Sequence, residues 1–86
     1  MKYRIVFTKQ AEKDLKKIAA SNLKGKAFRL LSVLEENPSQ PPFEKLIDTI
    51  NVYSRRINLQ HRLVYQVYEE EKTIKIIRMW THYGDN

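Results

Sequence analysis

Polar and apolar residues alternate from Lys2 to Phe7, with Tyr3, Ile5 and Phe7 on one side and Arg4 and Val6 on the other. This period of two predicts a β-strand. The period then lengthens. Ala11, Leu15, Ile18 and Ala19 recur at helical spacing behind Thr8, a residue type suited to an N-cap, and Lys9, Lys13, Lys16 and Lys17 take the outer surface. Ser21-Asn22 breaks this helix and is suited to cap the next. Leu23, Ala27, Leu30, Leu31 and Leu34 form the stripe of a second helix over 23–36. Asn37-Pro38 ends it, because a residue before proline disfavours the α region. So short a link between the helices predicts an antiparallel helical hairpin.

Pro38-Ser39-Gln40-Pro41-Pro42 reads as a stiff connector, after which Phe43 and Leu46 anchor a loop or short strand. Three more strands are expected, over 52–57, 62–68 and 73–81, with Glu69-Glu70-Glu71-Lys72 as the turn between the last two. The last strand, through Ile74, Ile76 and Ile77, is apolar enough to be central in its sheet. The order is strand, helix, helix, then an antiparallel meander. It predicts one α+β domain over 1–86, with the helical hairpin on one face of a mainly antiparallel twisted sheet.

That architecture leaves the other sheet face open. On it fall Arg62, either Arg55 or Arg56, and the end of the last strand. A three-residue loop, Asn58–Gln60, would set Arg56 opposite Arg62; a four-residue loop would set Ile57 there instead. A slip of one residue moves a side chain to the other face, so both registers stay open at this level.

Composition narrows the chemistry. The chain has no Cys, so it has neither a disulfide framework nor a thiolate metal site, and two histidines alone cannot build a structural zinc site. No apolar run approaches the roughly 20 residues of a membrane-spanning helix. The N-terminal stretch lacks the features of a signal peptide, so a cytoplasmic location is the simplest expectation. The net charge of +6 predicts attraction to a polyanion or an acidic partner. Residues 1–36 carry nine Lys/Arg against four Asp/Glu, the remainder seven against six, so the helical half holds most of the excess.

Cutting RNA without a metal needs a base for the 2′-hydroxyl, cations for the charge building on phosphorus, and an acid for the departing 5′-oxygen. Glu44, the pair Arg56 and Arg62, and His82 are candidates for those roles, and Tyr83 is placed to stack on a base. Blander readings stand beside these. Glu44 after Pro-Pro-Phe is an ordinary loop carboxylate, His82 a surface histidine, His61 a turn residue and Trp80 a core aromatic. No glycine-rich phosphate loop exists, and Ser54 has no partners for a serine hydrolase.

The runs Ser54-Arg55-Arg56-Ile57, His61-Arg62-Leu63-Val64-Tyr65 and Thr81-His82-Tyr83 resemble the YoeB/Txe family of toxin–antitoxin ribonucleases, within the RelE-like superfamily. The resemblance spans the whole chain. It implies a RelE-like fold and ribosome-dependent cleavage of mRNA in the ribosomal A site. It implies catalytic roles for Glu44, Arg56, Arg62, His82 and Tyr83, substrate contacts from Lys45 and Arg55, and no metal or organic cofactor. Its partners would be a cognate antitoxin, the bacterial ribosome and mRNA, with no membrane. A homodimer is compatible with the sequence. Where family members carry a Leu-Ser-Gly-like turn before the arginine strand, this chain has Ile47–Val52 without glycine, and it continues past Tyr83 with Gly84-Asp85-Asn86. Two rival classes are a gyrase inhibitor of the same fold, which grips another protein without cutting RNA, and a basic RNA-binding module without catalysis.

Overall fold

The computed structural model describes residues 2–38, 44, 45, 51–58 and 61–80. The elements run β1 (Arg4–Phe7), α1 (Lys9–Ala19), α2 (Lys24–Glu36), β2 (Glu44–Lys45), β3 (Val52–Arg56), β4 (Arg62–Tyr68) and β5 (Thr73–Arg78). Among the described residues they build one five-stranded sheet in the order β1-β5-β4-β3-β2. β1 pairs parallel with β5, and every other pairing is antiparallel. The expected α+β architecture is therefore present, and the apolar β5 is central, with β1 on one side and β4 on the other.

Thr8 makes the turn from strand to helix. Its Oγ1 accepts from the Ala11 amide (3.0 Å), satisfying an orphan donor of the first helical turn, and donates to the Ile77 carbonyl (2.8 Å). Ala11, Asp14 and Ile18 are the buried positions of α1. Leu15 packs at the edge of the core, whereas Ala19, counted in the apolar stripe by spacing, is exposed. Ser21 does not cap α2. Its hydroxyl donates to the Ile18 carbonyl (2.8 Å) and accepts from the Leu23 amide (3.1 Å), and Leu23 takes the N-cap position with no side-chain bond. Ala27 and Leu34 are the buried residues of α2.

One sheet face meets the helices. Leu63, Tyr65 and Val67 from β4 and Ile74 and Ile76 from β5 are buried there with Ala11, Ile18, Ala27 and Leu34. The alternation in β4 is regular, with Arg62, Val64, Gln66 and Tyr68 half-buried on the opposite face. Burying each large aliphatic side chain contributes about 1.5–3 kcal/mol, so this single layer supplies most of the driving force.

The β4–β5 pairing slips between Val64 and Tyr65: Tyr65 faces Ile76, but Val64 faces Arg78. Ile77 is thus the extra residue of a β-bulge, and the alternation flips beyond it. Met79 enters the core in place of Trp80, which is half-buried. Uninterrupted alternation from Ile76 would have put Trp80 there. Asn51, in the left-handed region at φ 60°, precedes β3; Asn tolerates that conformation better than most residues. Phe43, Leu46 and the segment 47–50 lie outside the described residues.

Candidate functional site

The hairpin of β3 and β4 takes the three-residue register, and Arg56 stands directly opposite Arg62. The turn explains this choice. The Asn58 side chain accepts from the His61 amide (2.7 Å), while the His61 carbonyl accepts from the amides of Ile57 (2.9 Å) and Asn58 (3.3 Å). His61 thus serves the turn with its backbone, as a turn residue should. Its ring is buried and stacks on Trp80, with centroids 4.2 Å apart and planes 19° apart.

Arg56 is exposed and Arg62 half-buried, both on the sheet face away from the helices. An Arg62 guanidinium nitrogen donates to Ser54 Oγ (3.3 Å), which fixes one end of the fork. The opposed side chains start about 5 Å apart at Cβ. Two like charges so placed repel each other, and an anion lying between them reverses the sign of the interaction.

Arg55 lies elsewhere. It faces Leu63 across the hairpin, is 3 % exposed, and belongs to the helix-covered face. Its Nε donates to the Tyr65 hydroxyl (3.2 Å) and its terminal nitrogen to the Pro38 carbonyl (3.2 Å); the Tyr65 hydroxyl also donates to that carbonyl (3.4 Å). Burial pushes the Tyr65 phenol above its usual pKa, an effect the neighbouring Arg55 partly offsets. Arg55 therefore ties the end of α2 to the hairpin and does not share the face of Arg56. The guanidinium expected to contact substrate is enclosed in the core.

The backbone of Glu44 pairs with Ser54 and that of Lys45 with Tyr53, so β2 runs beside the arginine strand. Lys45 is exposed, but its register gives it the face of Tyr53 rather than that of Arg56 and Arg62. His82 and Tyr83 lie outside the described residues.

The open face carries cations beyond the two arginines expected there. Arg78 is exposed opposite Val64, the next open-face residue after Arg62 along β4. Lys75, opposite Gln66, lies 5.7 Å from the Tyr68 ring centroid, and Arg4 is exposed opposite Thr73. The segments of β1, β3, β4 and β5 contain no Asp or Glu. Sequence reasoning missed Arg78 because the bulge that turns it to this face has no signature in the residue pattern. It also missed Asp14, 2 % exposed, whose Oδ2 accepts from the amides of Met79 (2.9 Å) and Trp80 (3.3 Å). A signal existed there, an acidic residue between Ala11 and Ile18 on the inward stripe of α1. Among the described residues no three His, Cys, Asp or Glu side chains gather as a metal site would require, and no helix is long and apolar enough to cross a membrane.

The sequence matches the family described as the ParE toxin of type II toxin–antitoxin systems over residues 5–85. The chain belongs to that family. As a toxin of a type II system it is also similar to solved structures of YoeB. The YoeB dimer from Staphylococcus aureus is 34% identical, with 96% of this chain and 100% of that chain covered and a TM-score of 0.82. The heterotetrameric YoeB–YefM toxin–antitoxin complex from the same organism gives 34% identity, 96% and 100% coverage, and a TM-score of 0.77. A YoeB/ParE toxin from Agrobacterium tumefaciens, at 24% identity, 93% and 99% coverage and a TM-score of 0.81, shares the fold. No curated protein matches the toxin by sequence. The YoeB likeness agrees with the family expected from the arginine hairpin.

Proposed function

We propose that this toxin is a ribosome-dependent mRNA endonuclease that works by general acid–base cleavage. The observation that carries the reading is the opposed pair Arg56 and Arg62 on β3 and β4, two strands that contain no Asp or Glu. Such a pair suits a phosphate: each guanidinium is permanently charged and forked, and the strands hold both in place. In the reaction Glu44 takes the proton of the 2′-hydroxyl, and the 2′-oxygen attacks the adjacent phosphorus. Arg56 and Arg62 stabilise the charge on the non-bridging oxygens. His82 protonates the departing 5′-oxygen, and Tyr83 stacks on a neighbouring base. The products are a 2′,3′-cyclic phosphate and a 5′-hydroxyl, and DNA, lacking the 2′-hydroxyl, is not cut. The ribosome supplies substrate orientation, a contribution that reaches about 7–11 kcal/mol in well-oriented reactions.

A cognate antitoxin is the natural partner, by analogy with the YoeB–YefM assembly. An acidic or amphipathic segment folding across the basic face would block it. A homodimer follows the same analogy with the YoeB dimer.

The test is translation of a defined mRNA on purified bacterial ribosomes with the toxin added, cuts being mapped by primer extension, beside a reaction without ribosomes. Cuts within codons that need the ribosome and vanish with Arg62→Ala are expected, and His82→Ala should lose cleavage too. Full activity of His82→Ala would remove His82 as the acid. The second reading is the rival of the same fold, gyrase inhibition by gripping another protein. Intact mRNA together with blocked DNA supercoiling would establish it instead.

A further inference from the structure

We propose that Asp14 is a positioning residue of the cleavage site, holding the end of β5 so that Trp80 is fixed against His61 in the hairpin that opposes Arg56 and Arg62. This inference rests on the nuclease reading for the roles of Arg56 and Arg62.

The argument begins where β1 stops. Its pairing with β5 ends at Phe7 opposite Ile76, because the chain turns into α1 at Thr8. Thr8 covers the next two groups: its amide donates to the Ile76 carbonyl (3.0 Å) and its hydroxyl to the Ile77 carbonyl (2.8 Å). Beyond that point β1 provides no partner for the amides of Met79 and Trp80. Asp14, one and a half turns into α1, reaches them instead. One carboxylate oxygen accepts from both amides and the other accepts from the Gln10 side chain (2.9 Å). A carboxylate receiving several donors in a buried setting holds their geometry more tightly than a neutral acceptor would.

The second contact comes from the other side. Trp80, fixed by Asp14 through its amide, lays its ring on His61. His61 in turn closes the hairpin that opposes Arg56 and Arg62. Thus the residue before Thr81 is held between α1 and the arginine hairpin. An anchor on the core alone would need only Met79, which is already fully buried. The bond to the half-buried Trp80 fixes instead the residue that touches the hairpin.

The experiment compares Asp14→Ala, Asp14→Asn and Trp80→Leu in the ribosome cleavage assay, each at a temperature where circular dichroism shows it folded. Emission of Trp80, the single tryptophan in the chain, is recorded in the two Asp14 variants. With the acceptor of both amides gone, Asp14→Ala should lose about tenfold or more in kcat, with KM for programmed ribosomes within about twofold, a split typical of misplacement. Its Trp80 emission should change as the stack on His61 loosens. Asn keeps an acceptor oxygen and should restore most of kcat and the wild-type spectrum. Trp80→Leu, which leaves the carboxylate intact, should lower kcat several-fold, and this arm decides the point if the alanine variant does not fold.

A folded Asp14→Ala enzyme with wild-type kcat and an unaltered spectrum would overturn the inference. So would Trp80→Leu with wild-type kcat. A wild-type toxin that cuts nothing would refute the nuclease reading and the catalytic part of this inference, while the emission of Asp14→Ala would still decide whether Asp14 holds the strand end. The two failures are therefore distinguishable.

Discussion

Arg56 and Arg62 occupy directly opposed positions of the β3–β4 hairpin, two cations where a sheet ordinarily gains from unlike partners. Like charges so placed cost up to about 1 kcal/mol, and the cost falls when one is removed. Arg56→Ala should therefore leave the melting temperature unchanged or slightly raised. Its cleavage rate on ribosomes should fall by about 10²–10³-fold, the usual effect of deleting one donor to a developing oxyanion. Arg56 suits the test better than Arg62, whose bond to Ser54 adds a structural loss. Thermal unfolding and single-turnover cleavage on one preparation check both halves. A fall in stability together with near-normal cleavage would mean that Arg56 belongs to the scaffold.

Its neighbour should behave in the opposite way. Arg55 donates to Tyr65 and to the Pro38 carbonyl inside the covered face, so truncation leaves a void and a buried acceptor without its charged donor. Arg55→Ala should cost about 2–4 kcal/mol, the sum expected for losing charge-assisted bonds and packing at one buried site. For a domain of this size that lowers the melting temperature by on the order of 10–20 °C. Arg55→Met, which refills the void, should recover part of it. Urea titration supplies the numbers. An Arg55→Ala protein as stable as wild type would contradict the structural role.

The contrast between these two arginines shows what could be read from the chain. The strand, the helical hairpin and the meander followed from the change of period between Phe7 and Ala11 and from the alternation in β4, because burial of one face imposes those periods directly. The identity of the outward arginine did not follow. It depends on a one-residue choice of loop, decided by the Asn58 side chain binding the His61 amide. The bulge at Ile77 was equally silent in the sequence, and it exchanged Met79 for Trp80 in the core and brought Arg78 to the open face. Asp14 was passed over because an inward acidic residue on a helix looks like a break in the stripe until the strand end it serves is seen.

Arg78 gives a prediction of its own. It lies beside Arg62 on the open face, where it extends the positive surface by one position along β5. A cation of this kind acts through counterion release and carries little sequence information. Arg78→Ala should weaken binding of a short single-stranded RNA evenly across sequences. It should also flatten the plot of log K against log salt by about 0.7, the slope of one phosphate contact on a single strand. Fluorescence anisotropy in a KCl series measures this. An unchanged slope would place Arg78 outside the RNA path.

The last prediction concerns alkaline pH. The Tyr65 phenol is fully buried, and burial raises its pKa above the usual value of about 10 despite the nearby Arg55. A raised folded-state pKa means that the fold favours the protonated phenol. The stabilisation is therefore fully present below pH 10, where both states hold the proton. It is lost as pH rises from about 10 through the higher folded value, because the unfolded chain gives up its proton first. Tyr65→Phe removes the titrating group along with its bonds to Arg55 and Pro38, at a cost of about 1–2 kcal/mol near pH 7. The gap between wild type and Tyr65→Phe should then narrow steadily above pH 10. Tyr3, whose hydroxyl donates to Glu69 (2.8 Å), is shifted in the same direction chiefly by that bond and is present in both proteins, so it cancels in the difference. Urea unfolding of the pair at pH 7, 9, 10 and 11 makes the comparison. A gap that stays constant or widens up to pH 11 would show that the phenol is as free to ionise in the fold as in water.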